Sequence, residues 1–265
     1  MKKIFITLLL LLSIFIAQDA QPYPPVNLVT IPTAGTLPKG YYSFENLFMK
    51  NGNVIPRFSI GISNNFTLGM SFGIQNFIGD GEIKKYRSYP EVQLKYRVYD
   101  ENEKAPGVVI GIDTQGRGNF IEKYFDSNGD PIIINRYEQK SYGVYIVCSR
   151  NWQALGNFGL HVGINKNITE EEDRDDDLNL FFGFDKELNR SFSIFAEYNF
   201  ARDDDDFSDE NDLVIREGNG YLNAGLRWSA TENLMLEINL NDFAKNNQNS
   251  DNINRELKVI YFEQF

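Results

Sequence analysis

The chain has 265 residues, a formal net charge of -11 and a single cysteine. That charge excludes a phosphate-binding, nucleic-acid role, which needs a basic surface; one cysteine excludes an internal disulfide or a cysteine-based zinc site. Aromatic residues make up 14%, nearly all of them Phe and Tyr, which favour strands and membrane interfaces.

Residues 1–20 read as a signal peptide. Lys2 and Lys3 precede an apolar run from Ile4 to Ile16, and Ala17 and Ala20 supply small residues near a cleavage point. The run is shorter than the roughly 20 residues of a membrane-spanning helix, and no cysteine lies near it to carry a lipid anchor. No other long apolar run follows, which excludes a helical transmembrane bundle. Residues 21–40 open with Pro22, Pro24 and Pro25 and predict an extended N-terminal segment.

From Tyr41 to Phe265 the apolar period is two rather than 3.6. In Phe66–Ile74 one face carries Phe66, Leu68, Met70, Phe72 and Ile74, and the other Thr67, Gly69, Ser71 and Gly73. Similar alternation recurs at 41–50, 54–62, 89–99, 106–113, 139–149, 157–166, 177–185, 191–200, 219–229, 233–241 and 254–265. The pattern predicts an all-β, antiparallel transmembrane β-barrel over 41–265, of about twelve strands and an even number between about 10 and 14. Short connections alternate with long ones, as outer-membrane barrels require, with the short set and both chain ends on the periplasmic side. Asn51-Gly52-Asn53 breaks the scheme, being short where a long connection is due.

The faces carry the candidate function. Arg57, Lys95, Arg97, Asp113, Glu197, Arg227 and Glu237 fall opposite the apolar parity and are expected to line a polar lumen. Phe66, Phe158, Phe192, Trp228 and Phe265 sit beside the short turns and predict an aromatic girdle at one rim. The polar parity is rich in glycine, including Gly61, Gly111, Gly163, Gly183 and Gly225. Strand glycines either relieve curvature or admit another backbone; the second reading places part of 22–40 in or against the lumen.

Two acidic runs fall in long connections. Asp175, Asp176 and Asp177 end one, and Asp203, Asp204, Asp205 and Asp206 begin the other. Clustered carboxylates can hold a divalent cation such as calcium through oxygen, or form a solvated, self-repelling loop. Asp126-Ser127-Asn128-Gly129-Asp130 starts like a calcium loop, but Pro131 and Tyr137 stand where such a loop needs Gly and Glu. His161, the only histidine, has no nucleophile motif beside it and reads as a solvated lumen residue. Cys148 has lipid-facing parity and reads as a small apolar residue. No catalytic residue, metal centre or cofactor is assigned.

The terminal strand, with Leu257, Val259, Tyr261 and Phe265 on one face, resembles the signature last strand of bacterial outer-membrane β-barrels. That resemblance implies residence in the outer membrane, lipid contact and recognition by the outer-membrane assembly machinery. Ile31 to Gly40, followed by Asn65-Phe66-Thr67-Leu68-Gly69-Met70, resembles the YjbH-like group of outer-membrane proteins, which implies a role in exopolysaccharide production or export. The resulting expectation is a non-enzymatic, porin-like passage or a surface-polysaccharide-associated barrel. The alternatives are a structural barrel binding cations or glycans through its acidic loops and, third, an outer-membrane lipid hydrolase. The oligomeric state stays open.

Overall fold

The computed structural model describes residues 25–125, 129–153, 156–173, 175–204, 218–246 and 253–265. Residues 1–20, read as a signal peptide, lie outside the described residues, as do 21–24, Asp126 to Asn128, Asp205 and Asp206.

Sixteen strands are present among the described residues. In chain order they are β1 (Tyr41–Phe48), β2 (Val54–Ser63), β3 (Phe66–Ser71), β4 (Ile74–Gln75), β5 (Lys84–Lys85), β6 (Glu91–Tyr99), β7 (Gly107–Asp113) and β8 (Arg117–Phe125). There follow β9 (Pro131–Gln139), β10 (Gly143–Gln153), β11 (Asn157–Lys166), β12 (Asn179–Glu187), β13 (Phe192–Asn199), β14 (Tyr221–Ser229), β15 (Leu234–Asn241) and β16 (Asn254–Gln264).

The main sheet has fourteen strands, of which β4 and β5, two residues each, are an appendage beside β2. The other twelve form a closed antiparallel ring, because β1 pairs with both β2 and β16. Closure runs from Tyr41↔Gln264 to Phe48↔Leu257 without a register shift. A closed ring has no unpaired edge, the condition for a sheet to cross hydrocarbon.

The alternation is inverted relative to a water-soluble barrel. On β11, His161 is fully buried and Asn165 nearly so, whereas Leu160, Val162 and Ile164 are 41%, 53% and 40% exposed. Ile110, Ile146, Phe182 and Ile238 on four other strands are likewise exposed. An apolar exterior around a polar interior is stable only with lipid outside. Glu263, which interrupts the apolar face of β16, sits at the rim and accepts hydrogen bonds from Tyr42 (3.1 Å) and Tyr261 (2.5 Å).

Two features depart from the sequence pattern. The connection after β7 contains the separate β8–β9 hairpin, which folds over the interior. The short β1–β2 turn, where Asn51 and Gly52 both have positive φ, is covered by the neighbouring 72–90 connection. Ile78 N donates to Gly52 O at 3.1 Å, and a Cβ on Gly52 would lie 1.7 Å from Ile78 O. The outer rim is built up there by the next connection, so the turn itself stays short.

Candidate functional site

Residues 25–40 form no barrel strand, yet Leu28, Val29 and Ile31 are fully buried. Irregular backbone at membrane depth must find partners inside the protein, and side chains of the inner wall supply them. Thr30 N and Ile31 N donate to Glu197 at 2.8 and 3.2 Å. Ala34 N donates to Ser149 Oγ and Leu37 N to Thr67 Oγ1, at 2.8 and 2.9 Å. The carbonyls of Val26, Thr33 and Gly35 accept from Lys95, Ala34 O from Arg97, and Val29 O from Arg117. Arg227 reaches Asn27 O at 3.3 Å, and Lys258 reaches Leu28 O at 3.5 Å.

Apolar packing completes the seat. Leu28, Val29, Ile31 and Ala34 join Val109, Tyr142, Tyr145, Val147, Phe181 and Phe195 in one buried cluster. Strand glycines make the room: a Cβ on Gly183 would lie 2.7 Å from Leu28 Cδ1, and one on Gly61 2.0 Å from Pro38 O. Gly111, Gly163 and Gly225 stand against the rings of Tyr145, Phe181 and Phe195 in the same way.

The seven polar residues singled out from the sequence all face this interior. Lys95, Glu197, Arg227 and Glu237 are buried, and Arg57, Arg97 and Asp113 are partly buried. Strand register joins some of them in a belt. Arg227, Glu237 and Lys258 are successive cross-strand partners on β14, β15 and β16, with Arg227 Nη2 and Lys258 Nζ 2.6 and 2.9 Å from the Glu237 carboxylate. Glu45 on β1 faces Arg57 on β2, and Arg57 pairs with Asp113 at 3.3 Å. The charges therefore alternate in sign around this part of the wall: Arg227, Glu237, Lys258, Glu45, Arg57, Asp113. Lys258 and Glu45 join the seven residues expected from the sequence. Leu47 shares the inward parity of β1 with Glu45 and blurs the signal there.

The β8–β9 hairpin closes the outer side. Arg136 is fully buried, pairs with Asp173 at 2.8 Å and contacts Asp204. Lys140 pairs with Asp173 at 2.5 Å, and Glu170 accepts from Tyr137 N and Ser141 N at 2.8 and 2.9 Å. Arg87 lies over the Phe120 ring, 4.7 Å from its centroid. The acidic runs are thus partly consumed as ion-pair partners of the hairpin. Asp175, Asp203 and Asp204 are buried, while Asp176 and Asp177 are exposed and Asp176 pairs with Lys166 at 2.8 Å. Burial, with the Asp204 charge beside it, pushes the Asp203 carboxyl up to about 8.

His161 is not solvated. It is fully buried, with Nδ1 2.7 Å from Ser149 Oγ and Nε2 2.8 Å from Asp185 Oδ1. The correction follows from the N-terminal segment, which covers that part of the wall and excludes water. Serine, histidine and aspartate in a line suggest acyl transfer, but Ser149 Oγ already takes the Ala34 N–H and is 1% exposed. No substrate carbonyl can reach it while the segment is seated. The array anchors the segment.

Phe66, Phe158 and Phe192 are partly exposed, and Trp228 and Phe265 are 44% and 73% exposed. All lie beside the short connections or at the chain end. Phe192 stacks on Trp228 at 6.2 Å and 11°, and Phe265 meets Tyr42 at 6.3 Å. Cys148 lies on the outward parity of β10 and is partly exposed.

Fold and site together define an outer-membrane-type transmembrane β-barrel whose interior is largely filled by its own chain. No family model matches the chain, and no curated protein does. Among solved structures it is similar to the KdgM porin, with a TM-score of 0.49 at 12% identity over 83% of this chain and 98% of that one. A NanC porin structure gives 0.41 at 10% identity over 84% and 99%. OprB of Pseudomonas putida gives 0.34 at 13% identity over 80% of this chain and 59% of that one. The likeness is one of fold.

Proposed function

We propose that this barrel is a narrow, non-enzymatic, porin-like passage for small polar solutes, with residues 25–40 as a resident plug. The observation that carries the reading is the pairing of a lipid-facing apolar exterior with an interior of charges and amides, part of which the segment leaves uncovered. Ser149, the one candidate nucleophile beside the lone histidine, is occupied by the plug, which supports a role without chemistry. The mixed signs of the lumen charges favour weak rather than strong ion selectivity. In this reading β16, ending at the exposed Phe265, is the strand that the outer-membrane assembly machinery engages. The likeness of 31–73 to the YjbH-like group supports a finer version, in which the solute is derived from a surface polysaccharide.

Planar-bilayer recording tests the reading. The full barrel is expected to show small unitary conductances, and the chain lacking residues 25–39 conductances several-fold larger. Unchanged conductance on deletion overturns the plug, and a silent full-length barrel overturns the passage.

A further inference from the structure

The inner wall is not evenly filled. Three narrow clefts descend the wall of β15, β16, β1 and β2, the outermost under the β8–β9 hairpin and the other two against the N-terminal segment. The outermost is bordered by Met49, Asn241 and Asn254, at the outer ends of β1, β15 and β16. The middle one is bordered by Leu47, Ile55 and Arg57. The innermost is bordered by Ser43, Met235 and Phe262, at the opposite ends of the same strands. Their linings overlap. Arg117 and Gln139 border the first two, and Asn27, Glu45 and Lys258 border the last two. The clefts therefore adjoin in series along one seam of the wall, from the outer to the opposite ends of these strands.

Almost every carboxylate on the seam is committed to a neighbour. Asp113 is held by Arg57, Glu237 by Arg227 and Lys258, Glu256 by Arg117, and Glu138 by Lys50. Asp242 accepts the Asn246 N–H at 2.7 Å. Glu45 is the exception: among the described residues its carboxylate has neither a hydrogen bond nor an ion pair, and it acts on Lys95 only at longer range. It stands where the middle and inner clefts meet, opposite Arg57 in register. An uncommitted charge at a constriction acts directly on each passing ion, whereas a paired charge presents mainly a dipole.

We propose that small ions and polar solutes move along this seam rather than through the barrel centre, and that Glu45 sets the preference between cations and anions. The inference rests on the passage reading and adds to it a route and a specificity-determining residue. Arg227 and Lys258 share a single carboxylate, so neutralising Glu45 leaves the inner cleft with surplus positive charge.

Reversal potentials across a KCl gradient, measured on the full chain in planar bilayers, test the charge preference. Glu45→Gln is expected to lower the cation-to-anion permeability ratio on the order of fivefold, and Glu45→Lys to lower it further. The route is tested in a Cys148→Ser background, where a charged thiol reagent should label Glu45→Cys and block the current. Asn199→Cys, buried on β13 against Tyr142 and away from the clefts, should stay unlabelled. A channel that conducts with an unchanged ratio in Glu45→Gln, or one blocked through Asn199→Cys and not through Glu45→Cys, overturns the proposal and leaves the passage reading standing. A wild-type barrel without unitary current overturns both.

Discussion

The wall formed by β10–β13 and the wall formed by β15, β16 and β1 treat the same N-terminal segment differently. On the first, Gly163 leaves room for the Phe181 ring and Gly183 for Leu28 and Ile31, Phe181 and Phe195 join Leu28 and Ile31 in one cluster, and Ser149 and Glu197 take the segment's N–H groups at 2.8 to 3.2 Å. On the second, Glu237, Lys258 and Glu45 point inward, and contact is reduced to long side chains, Lys258 and Arg227 of the adjoining β14, reaching carbonyls at 3.5 and 3.3 Å. Glycine and aromatic residues admit a backbone; charged side chains hold it off. One barrel thereby has a sealed side and an open side.

The sealed side depends on its outer closure, so the largest expected effect comes from Arg136→Met. That change leaves Asp173 to Lys140 alone and takes from Asp204 a buried cationic partner. Removing one partner of a buried ion pair costs about 3–5 kcal/mol. The β8–β9 hairpin should detach, seen as faster proteolysis within 114–142 and noisier current, while the barrel keeps its heat-modifiable migration. A hairpin as protected as in the wild type would show that Arg136 is not what holds the closure.

A smaller effect is expected from Gly183→Val, which attacks the seat itself. Its Cβ would lie 2.7 and 2.8 Å from Leu28 and Ile31. Overpacking of this kind costs about 1–3 kcal/mol; lifting the segment away relieves both side-chain contacts, and a small shift of β13 relieves the third, with Ala196 O at 2.9 Å. Conductance should rise toward that of the chain lacking 25–39, and the charge preference set on the open side should weaken. If conductance stays at the wild-type level, the two sides are not separable in the way the contacts indicate.

The barrel strands were legible because lipid outside and polar groups inside impose a strict period of two. The twelve alternating stretches correspond to the twelve barrel strands, with shifts of a few residues such as 139–149 against Gly143–Gln153. The β8–β9 hairpin was not legible. It has no lipid face to enforce alternation, and its pairing shifts register twice, between Arg117 and Phe120 and between Ile121 and Lys123. The Ser149–His161–Asp185 array was hidden for a different reason. Ser149 and His161 are cross-strand partners on β10 and β11, while Asp185 lies opposite Gly159, two residues along. No spacing in the chain announces a contact that only register creates.

The smallest expected effect concerns pH and the outer end of the sealed side. Asp203 is 3% exposed, near Asp204, Asp175 and Lys140, and accepts from Asn165 Nδ2 at 3.2 Å. With its carboxyl pushed up to about 8 when folded and near 4 when exposed, it binds a proton in the folded loop that the opened loop releases. Its contribution is therefore fully present below about pH 4 and is lost as pH rises through about 8. Proteolysis of the connection between β13 and β14 should quicken between pH 6 and pH 9 in the wild type. In Asp203→Asn, which stays neutral throughout, that rise should flatten. The seam on the open side does not include Asp203, so the charge preference should be the same in the variant as in the wild type at either pH. An equal acceleration in both proteins would assign the pH response to other groups of the outer closure.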